Sequence, residues 1–445
     1  MFLPAYILEC MEALEAAGFA AYAVGGCVRD ACLGLTPQDY DLCTSALPEQ
    51  TEEVFRDRKL VLAGKKHGTV GVVTDYGVVE ITTFRTEGEY RDNRHPDWVE
   101  FVSHIEQDLA RRDFTVNAMA YSPKRGFADP FGGREDLENR VLRAVGDPVK
   151  RFREDSLRIL RGARFAVRYG LRVEAATSAA MLSEAHLMDN LARERVFDEL
   201  CKLIVLAEAA DIMAFTPILG AVLPELKPMI GFDQRSPHHA YDLYTHTAHV
   251  VAGVPGDLAL RWAALLHDIG KVPTFTVDEN GRGHFANHAA RGAEMADAIL
   301  QRLKAPDILR SQVVLLIEQH MLWLEPEKKQ LRRQIGKLGL ERVYQILSLQ
   351  LADNSSKGTE KSEENEKYGQ ILKVLEEIQE EGGCLGLKDL AVNSSDLVQI
   401  GFSEQAGSTM LNWLLDQVLE EALPNERTVL LAWAKGVLVA ACHSS

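Results

Sequence analysis

Gly25-Gly26-Cys27-Val28-Arg29-Asp30, followed by Asp39-Tyr40-Asp41, decides how the amino-terminal part of the chain is read. The apolar run Ala20-Ala21-Tyr22-Ala23-Val24 ahead of it predicts a buried strand. The two glycines let backbone approach a phosphate closely, and the segment after them predicts a helix whose N-terminus favours anions. Arg29 adds charge there. On a strand, Asp39 and Asp41 face one side while Tyr40 turns to the core, and carboxylates so paired hold the divalent ions that phosphoryl chemistry needs. A Gly-Gly turn alone is only a turn, and Asp-x-Asp alone is a solvated strand end. In this order, after a strand, they point to nucleotidyl transfer.

At 445 residues the chain is too long for one ordinary core, which suggests about three domains. No apolar run reaches membrane-span length, and Met1-Phe2-Leu3-Pro4 lacks a basic region ahead of an apolar segment, so neither signal peptide nor anchor is expected. The cytoplasm is the default. The seven cysteines (Cys10, Cys27, Cys32, Cys43, Cys201, Cys384 and Cys442) form no Cys-x-x-Cys pair, and most read as small core residues. A formal charge of −16 argues against whole-surface attraction to nucleic acid, so RNA binding needs a local basic patch.

Short apolar runs alternate with turns up to about residue 140: Val70 to Val73, Val78 to Phe84, and Trp98 to Val102. They predict a small α/β sheet domain. From about Val149 the periodicity becomes helical almost to the C-terminus, so the body is expected to be all-α. Asn354 to Ser362 is polar and charge-rich and predicts a connection into a helix near Glu363. No regular repeat is evident.

The basic patch lies between Asp147 and Arg172, where Lys150, Arg151, Arg153, Arg158, Arg161, Arg164, Arg168 and Arg172 face few acids, notably Glu154 and Asp155. A spacing of three along Asp155, Arg158, Arg161 and Arg164 lets adjacent members touch on one helix while the row wraps slowly. Leu157, Leu160 and Phe165 remain to pack inward. The plain alternative is a solvated amphipathic helix. The chemical reading is sharper: cytosine and adenine each present an exocyclic amine beside an unprotonated ring nitrogen, so a carboxylate acceptor next to a guanidinium donor reads both. Uracil and guanine reverse that pattern. Asp155 and Arg158 could thus select CTP and ATP without a template.

These residues resemble those of bacterial class II tRNA nucleotidyltransferases, the CCA-adding enzymes, and of the related bacterial poly(A) polymerases. Gly25 to Asp30 with Asp39-Tyr40-Asp41 is similar to the family's first motif, Arg111-Arg112-Asp113-Phe114-Thr115-Val116-Asn117-Ala118 to its second, and Glu154-Asp155-Ser156-Leu157-Arg158 to its nucleobase-reading motif. The resemblance implies an α+β multidomain chain: a small α/β, polymerase-β-like nucleotidyltransferase head (1–145), an all-α neck (146–225), an HD metal phosphohydrolase domain (226–358) and a helical RNA-binding tail (359–445). It implies that Gly26 and Arg29 hold the triphosphate and that Asp39 and Asp41 are catalytic and bind Mg2+. It further implies that Arg112 contacts the nucleotide, Asp155 and Arg158 read the base, and Arg161 and Arg164 contact nucleotide or RNA phosphate. Glu194 to Leu200 resembles a motif with a mainly structural role, and Arg111 with Asp113, taken alone, is a surface salt pair. The polar stretch Phe84 to Pro96 resembles the family's flexible loop, whose presence disfavours an enzyme that adds only the cytidines. Glu80 is a third acidic partner for the metal or the member of a strand-end salt pair.

Further on, His246, then His267-Asp268, then His288, His320 and Asp353 form a series that resembles an HD-domain phosphohydrolase. Imidazole and carboxylate suit a divalent transition metal. His246, His267, Asp268 and Asp353 match the minimal ligand set, and His288 and His320 match the extra ligands of dinuclear members. Family resemblance points to terminal phosphates, 2′-phosphates or 2′,3′-cyclic phosphates as substrates. His238 and His239 fit no ligand pattern.

The expected partners are the tRNA 3′ end, CTP and ATP, with neither DNA nor membrane. Rival readings are an A-adding enzyme or poly(A) polymerase, a chain that is chiefly a phosphohydrolase, and a tRNA-binding chaperone without catalysis.

Overall fold

The structure is a computed structural model that describes residues 1–88, 98–236, 240–358 and 362–443. The chain divides into two compact units, one formed by Met1–Ala207 with Ala214–Pro224, the other by Glu208–Met213 with Glu225–Ser445.

The first unit contains the predicted α/β head. Its nine labelled strands are β1 (Ala21–Val24), β2 (Asp41–Thr44), β3 (Leu60–Val61), β4 (Thr69–Thr74), β5 (Gly77–Thr83), β6 (Arg85–Glu87), β7 (Val99–Phe101), β8 (Ala120–Ser122) and β9 (Gly126–Ala128). Seven of them form one mixed sheet in the order β3-β4-β5-β2-β1-β8-β9. β2 runs parallel to β5, and β1 antiparallel to β2 and β8. The three apolar runs of the sequence become β4, β5 and β7, but β7 pairs only with β6 in a separate two-stranded ribbon. Of the loop expected from Phe84 to Pro96, Arg85–Glu87 forms β6 and residues 89–97 lie outside the described residues. Val24, Cys43, Phe84, Leu109, Ala118 and Ala120 pack into one buried cluster of the head.

The basic segment is not one helix. Asp147 caps a helix Pro148–Glu154 by accepting hydrogen bonds from the Val149 and Lys150 N–H groups, with Pro148 at its first position. Asp155 is extended (φ −141°, ψ 102°) and breaks the helix, and a second helix, Leu157–Tyr169, ends at Gly170 in the left-handed conformation. A Cβ on Gly162 would lie 2.9 Å from the Phe114 ring, so this glycine lets the second helix seat against the head. Phe114 meets Phe165 edge-on at 6.0 Å and Phe152 at 6.4 Å.

Among the described residues the second unit is helical apart from a small hairpin, Thr276–Val277 with Gly283–His284. Helices Leu243–Gly253, Leu258–Leu266, His288–Arg302, Asp307–Gln319 and Leu340–Ser355 supply its inner residues, with Trp262 and Leu265 fully buried. Asp353 therefore sits in the last turn of a helix, and the polar connection expected from Asn354 begins only after Ser355. Among the described residues, Ser362–Glu381 is the next helix. Beyond it, Leu397, Leu411, Leu414, Leu415 and Leu430 form a separate small core. His238 and His239 lie outside the described residues, and among the described residues no helix is long and apolar enough to cross a membrane.

Candidate functional site

Strand register builds the first site. Val24 at the end of β1 pairs with Asp41 at the start of β2, so the glycine turn leaves the sheet beside the first carboxylate. Gly25 has φ +73°, and a Cβ on it would stand 2.8 Å from Arg112 Nη1. Its N–H donates to the Met119 carbonyl at 3.0 Å. β2 and β5 pair Leu42 with Ile81, which sets Glu80 next to Asp41. Asp39 and Tyr40 precede the strand instead of lying in it, and Tyr40 is half-buried, so the expected strand alternation starts only at Asp41. Burial raises the Asp41 pKa above the ordinary carboxylate value, with Glu80 and Asp39 adding to the rise and Arg112 opposing it. A cation relieves that repulsion, and an all-oxygen donor set of this kind suits magnesium.

Asp39 and Asp41 line a cleft of about 600 Å3 together with Gly25, Gly26, Arg29, Arg112, Asp155, Arg158, Arg161 and Arg164. Every residue expected at the transfer site is therefore in one place. Several of the guanidiniums are also structural. Arg29 is buried, donating to Asp30 Oδ1 from Nε at 2.9 Å and to Asn117 Oδ1 from Nη1, and it lies 4.3 Å from the Tyr169 ring centroid. Arg111 and Arg112 do not pair with Asp113; they share the fully buried Asp108, at 2.9 and 3.3 Å. Arg112 Nε is buried without a hydrogen-bond partner among the described residues. Asp113 instead accepts from Arg161 Nη2 at 2.7 Å and from Asn117 Nδ2 at 3.0 Å. Burial alone would raise the pKa of Asp113, but the Arg161 charge and these hydrogen bonds bring it down to about 2. Arg164 donates to Glu199 Oε2 at 2.6 Å.

Asp155 and Arg158 flank the helix break. Asp155 Oδ1 accepts the Leu157 N–H at 3.1 Å, and Oδ2 accepts from Arg195 Nη2 at 2.9 Å. Arg158 is buried, not solvated; Nη1 donates to Glu154 Oε2 at 2.8 Å and to the Arg151 carbonyl, and Nη2 to the Arg111 carbonyl. A guanidinium has five N–H groups, so Nε–H and one Nη2–H remain for a base. Arg195, placed by the sequence in a structural motif, lines the cleft, as do Arg111, Arg168 and Asn117. Arg168 continues the arginine row and Asn117 lies in the second motif. Nothing local marks Arg195, because its contact with Asp155 spans 40 residues.

The second site lies within the second unit. His246, His267, Asp268 and Asp353 place ligand atoms within 4.8 Å of one another, and so do Asp268, His288 and His320, so the groups share Asp268. Each imidazole turns Nδ1 to a backbone carbonyl: His246 to Ser356, His267 to Ala264, His288 to Phe285 and His320 to Ile317. In a neutral ring with Nδ1 donating, Nε2 turns its lone pair inward. His246 Nε2 then faces Asp353 Oδ1 at 3.0 Å, His267 Nε2 faces Asp268 Oδ2 at 3.2 Å, and His288 and His320 Nε2 lie 3.2 Å apart. Lone pairs converging in a buried space suit a shared cation, and mixed nitrogen and oxygen donors fit a divalent transition metal. Burial lowers the pKa of His320 to about 4, with His267 adding to the effect, so that ring is neutral near pH 7. Close packing sets the spacing: a Cβ on Gly270 would meet the His288 carbonyl oxygen at 2.2 Å. The sequence reading did not include Lys271, whose Nζ is 2.6 Å from Asp268 Oδ2 and is held by Gln234.

Three segments match known families: residues 21–143 the Poly A polymerase head domain, residues 170–230 the Probable RNA and SrmB-binding site of polymerase A, and residues 244–379 the HD domain. A CCA-adding enzyme of Streptococcus suis is 48% identical over 198 residues, 44% of this chain and 49% of the relative. In that alignment the chain spans about half the relative's length. A CCA-adding enzyme of Levilactobacillus brevis is 34% identical over 430 residues, 95% of both chains. The chain belongs to the CCA-adding enzymes. The solved CCA-adding enzyme of Bacillus stearothermophilus, in complex with CTP, superposes with a TM-score of 0.69 at 26% identity over 100% of both chains. The Poly A polymerase head match encloses Gly26 to Asp113, and the HD match encloses all six histidines and aspartates of the second site. Asp155 and Arg158 fall between the matched segments.

Proposed function

We propose that the chain adds CCA to tRNA 3′ ends, taking two cytidylates from CTP and one adenylate from ATP without a template. The observation that carries this is Asp155 and Arg158 in the same cleft as Asp39 and Asp41. The RNA 3′-hydroxyl forms a bond to the α-phosphorus while the bond to the bridging oxygen breaks and pyrophosphate leaves. Mg2+ held by Asp39 and Asp41, with Glu80 beside them, would lower the hydroxyl pKa and offset the leaving charge. The backbone at Gly25 and Gly26 admits the triphosphate closely, and Arg112 supplies positive charge against it. Arg29 braces that wall through Asp30 and Asn117. Asp155 accepts from the exocyclic amine of cytosine or adenine while Arg158 donates to the ring nitrogen. Arg195 holds Asp155, Arg161 holds Asp113, and Arg164 holds Glu199, so the arginine row positions the reading pair and supplies charge toward phosphate.

This reading keeps a head at 1–145, a neck at 146–225, an HD domain at 226–358 and a tail at 359–445, working on RNA in the cytoplasm, with neither DNA nor membrane as partner. Residues 382–445 hold three basic and seven acidic side chains, so RNA contact in the tail rests on stacking more than on charge. Trp413 and Trp433, 37% and 50% exposed with ring centroids 6.0 Å apart, are the residues to provide it.

The experiment offers tRNAs ending before CCA, after C and after CC, each with CTP, ATP or both, and sequences the 3′ ends. Correct completion from all three substrates supports CCA addition. Extension of the CC-ended tRNA alone would establish an A-adding enzyme instead, and untemplated A tails a poly(A) polymerase.

The convergent imidazoles favour a second activity, a phosphohydrolase of phosphoesters such as 2′-phosphates or 2′,3′-cyclic phosphates. The transition metals held by His246, His267, Asp268 and Asp353, with His288 and His320, would supply a hydroxide nucleophile. Water oxygen bonds to phosphorus and the ester oxygen leaves with a proton, which releases phosphate from a monoester and leaves a ribose phosphomonoester from a cyclic ester. Lys271 braces Asp268 within that centre.

A further inference from the structure

Beside the histidine and aspartate centre lies a cavity of about 300 Å3, with His320 and Asp353 in its wall and Trp323, Lys357, Lys367 and Tyr368 around it. Trp323 is 72% exposed. Its ring carries the Lys367 ammonium at 4.1 Å from the centroid, and Glu325 Oε1 holds that ammonium at 2.8 Å. Gln330 Nε2 donates to the Trp323 carbonyl at 2.7 Å, so the backbone beneath the indole is tied down as well. Lys357 Nζ, in the same wall, stands 3.4 Å from Asp353 Oδ2.

The volume lies at the lower end of the range for small-ligand sites and is too small for a folded nucleic-acid segment. Its three walls ask for three chemistries. Metal ligands meet a scissile phosphate, ammonium groups meet phosphate charge, and an indole face left in water meets a flat aromatic ring. A phosphoester without a base would satisfy the first two and leave the indole wet. One that carries a base covers it.

We propose that Trp323, braced by Lys367, is the platform on which the substrate of the histidine and aspartate centre stacks its base, so that the centre prefers nucleoside phosphomonoesters to phosphomonoesters that lack a base. For its chemistry this rests on the phosphohydrolase reading; for its binding it does not. The full-length protein is tested with adenosine 2′-monophosphate and glycerol 2-phosphate as probes. In the metal-loaded protein, the ratio of kcat/KM for the nucleotide over the glycerol ester should fall about tenfold in Trp323→Ala and be held in Trp323→Phe. In the chelator-treated protein, adenosine 2′-monophosphate should quench tryptophan emission in the wild type, and that quench should vanish in Trp323→Phe while calorimetric binding persists. An unchanged ratio in Trp323→Ala, or a quench of equal size in Trp323→Phe, overturns the platform. A Trp323-dependent quench in a protein that hydrolyses neither ester upholds the platform and removes the hydrolase reading alone.

Discussion

Gly25 meets two demands at once, a left-handed φ of +73° and the Arg112 guanidinium where a Cβ would stand. Gly25→Ala strains the turn by about 1 to 3 kcal/mol and pushes Arg112 off the glycine turn. Its kcat/KM for CTP should fall on the order of 100-fold, because a displacement of about 1 Å at a reacting site costs that much. The circular dichroism spectrum should stay native, which separates a misplaced charge from a lost fold. Arg112→Lys keeps the charge but loses the Nη2 contacts with Asp108 and Cys43, and it should recover less than half the wild-type rate in the same assay. Gly25 and Asp41 were legible in the sequence because turn chemistry and carboxylate pairing are local, whereas Arg112 was named only through the family resemblance. Glu80 was half legible: its alternation in β5 was visible, but only the parallel register with β2 puts it beside Asp41.

The break at Asp155 shows where helical periodicity stops informing. Spacing of three along Asp155, Arg158, Arg161 and Arg164 reads as one row on one helix, yet the backbone turns extended at Asp155, which caps the following segment by accepting the Leu157 N–H. A cap residue and a mid-helix acid look alike in such a row, and the partner that decides between them, Arg195, arrives from a helix starting at Arg193. Arg195→Ala frees Asp155 to swing. Misincorporation of UMP or GMP relative to CMP should then rise about tenfold, measured by sequencing product ends, with overall transfer reduced less than in Asp155→Ala. The helix Leu157–Tyr169 is in turn fastened to the head through Arg161 and Asp113. The folded pKa of Asp113, about 2, lies below its ordinary value of 3.8, so its stabilisation is complete above about pH 4 and fades as pH falls toward 2. The span is worth about 2 kcal/mol. In urea melts, Asp113→Asn should be less stable than wild type at pH 7 and lose less stability between pH 5 and pH 3. A parallel pH slope in the two proteins would remove Asp113 as the acid-sensitive group.

Two metal-binding constellations within one chain set the behaviour of the whole molecule. Both were readable as ordered sets of residues, because a metal site needs several donors of restricted type and each donor type is rare in a helix interior. What the sequence did not show is that Asp268 is shared: the minimal four and the extra pair His288 and His320 meet at this carboxylate, and that follows from the packing of Gly270 against the helix His288–Arg302. The first site takes hard oxygen donors and the second nitrogen-rich ones, so the two should separate by metal as well as by mutation. Asp41→Ala should lower transfer at least 1,000-fold, as loss of a metal-holding carboxylate does in phosphoryl transfer, and leave phosphomonoester hydrolysis within about twofold of wild type. Asp268→Ala should abolish hydrolysis and strip tightly bound transition metal, seen by elemental analysis of the purified protein, while transfer with Mg2+ persists. Asp268 is buried between His246, His267 and Lys271, so its removal also leaves Lys271 an unpaired charge. Asp268→Asn, which keeps the shape, serves as the check against misfolding. If either single change eliminated both activities in a protein that remains folded, one shared centre would replace two independent ones.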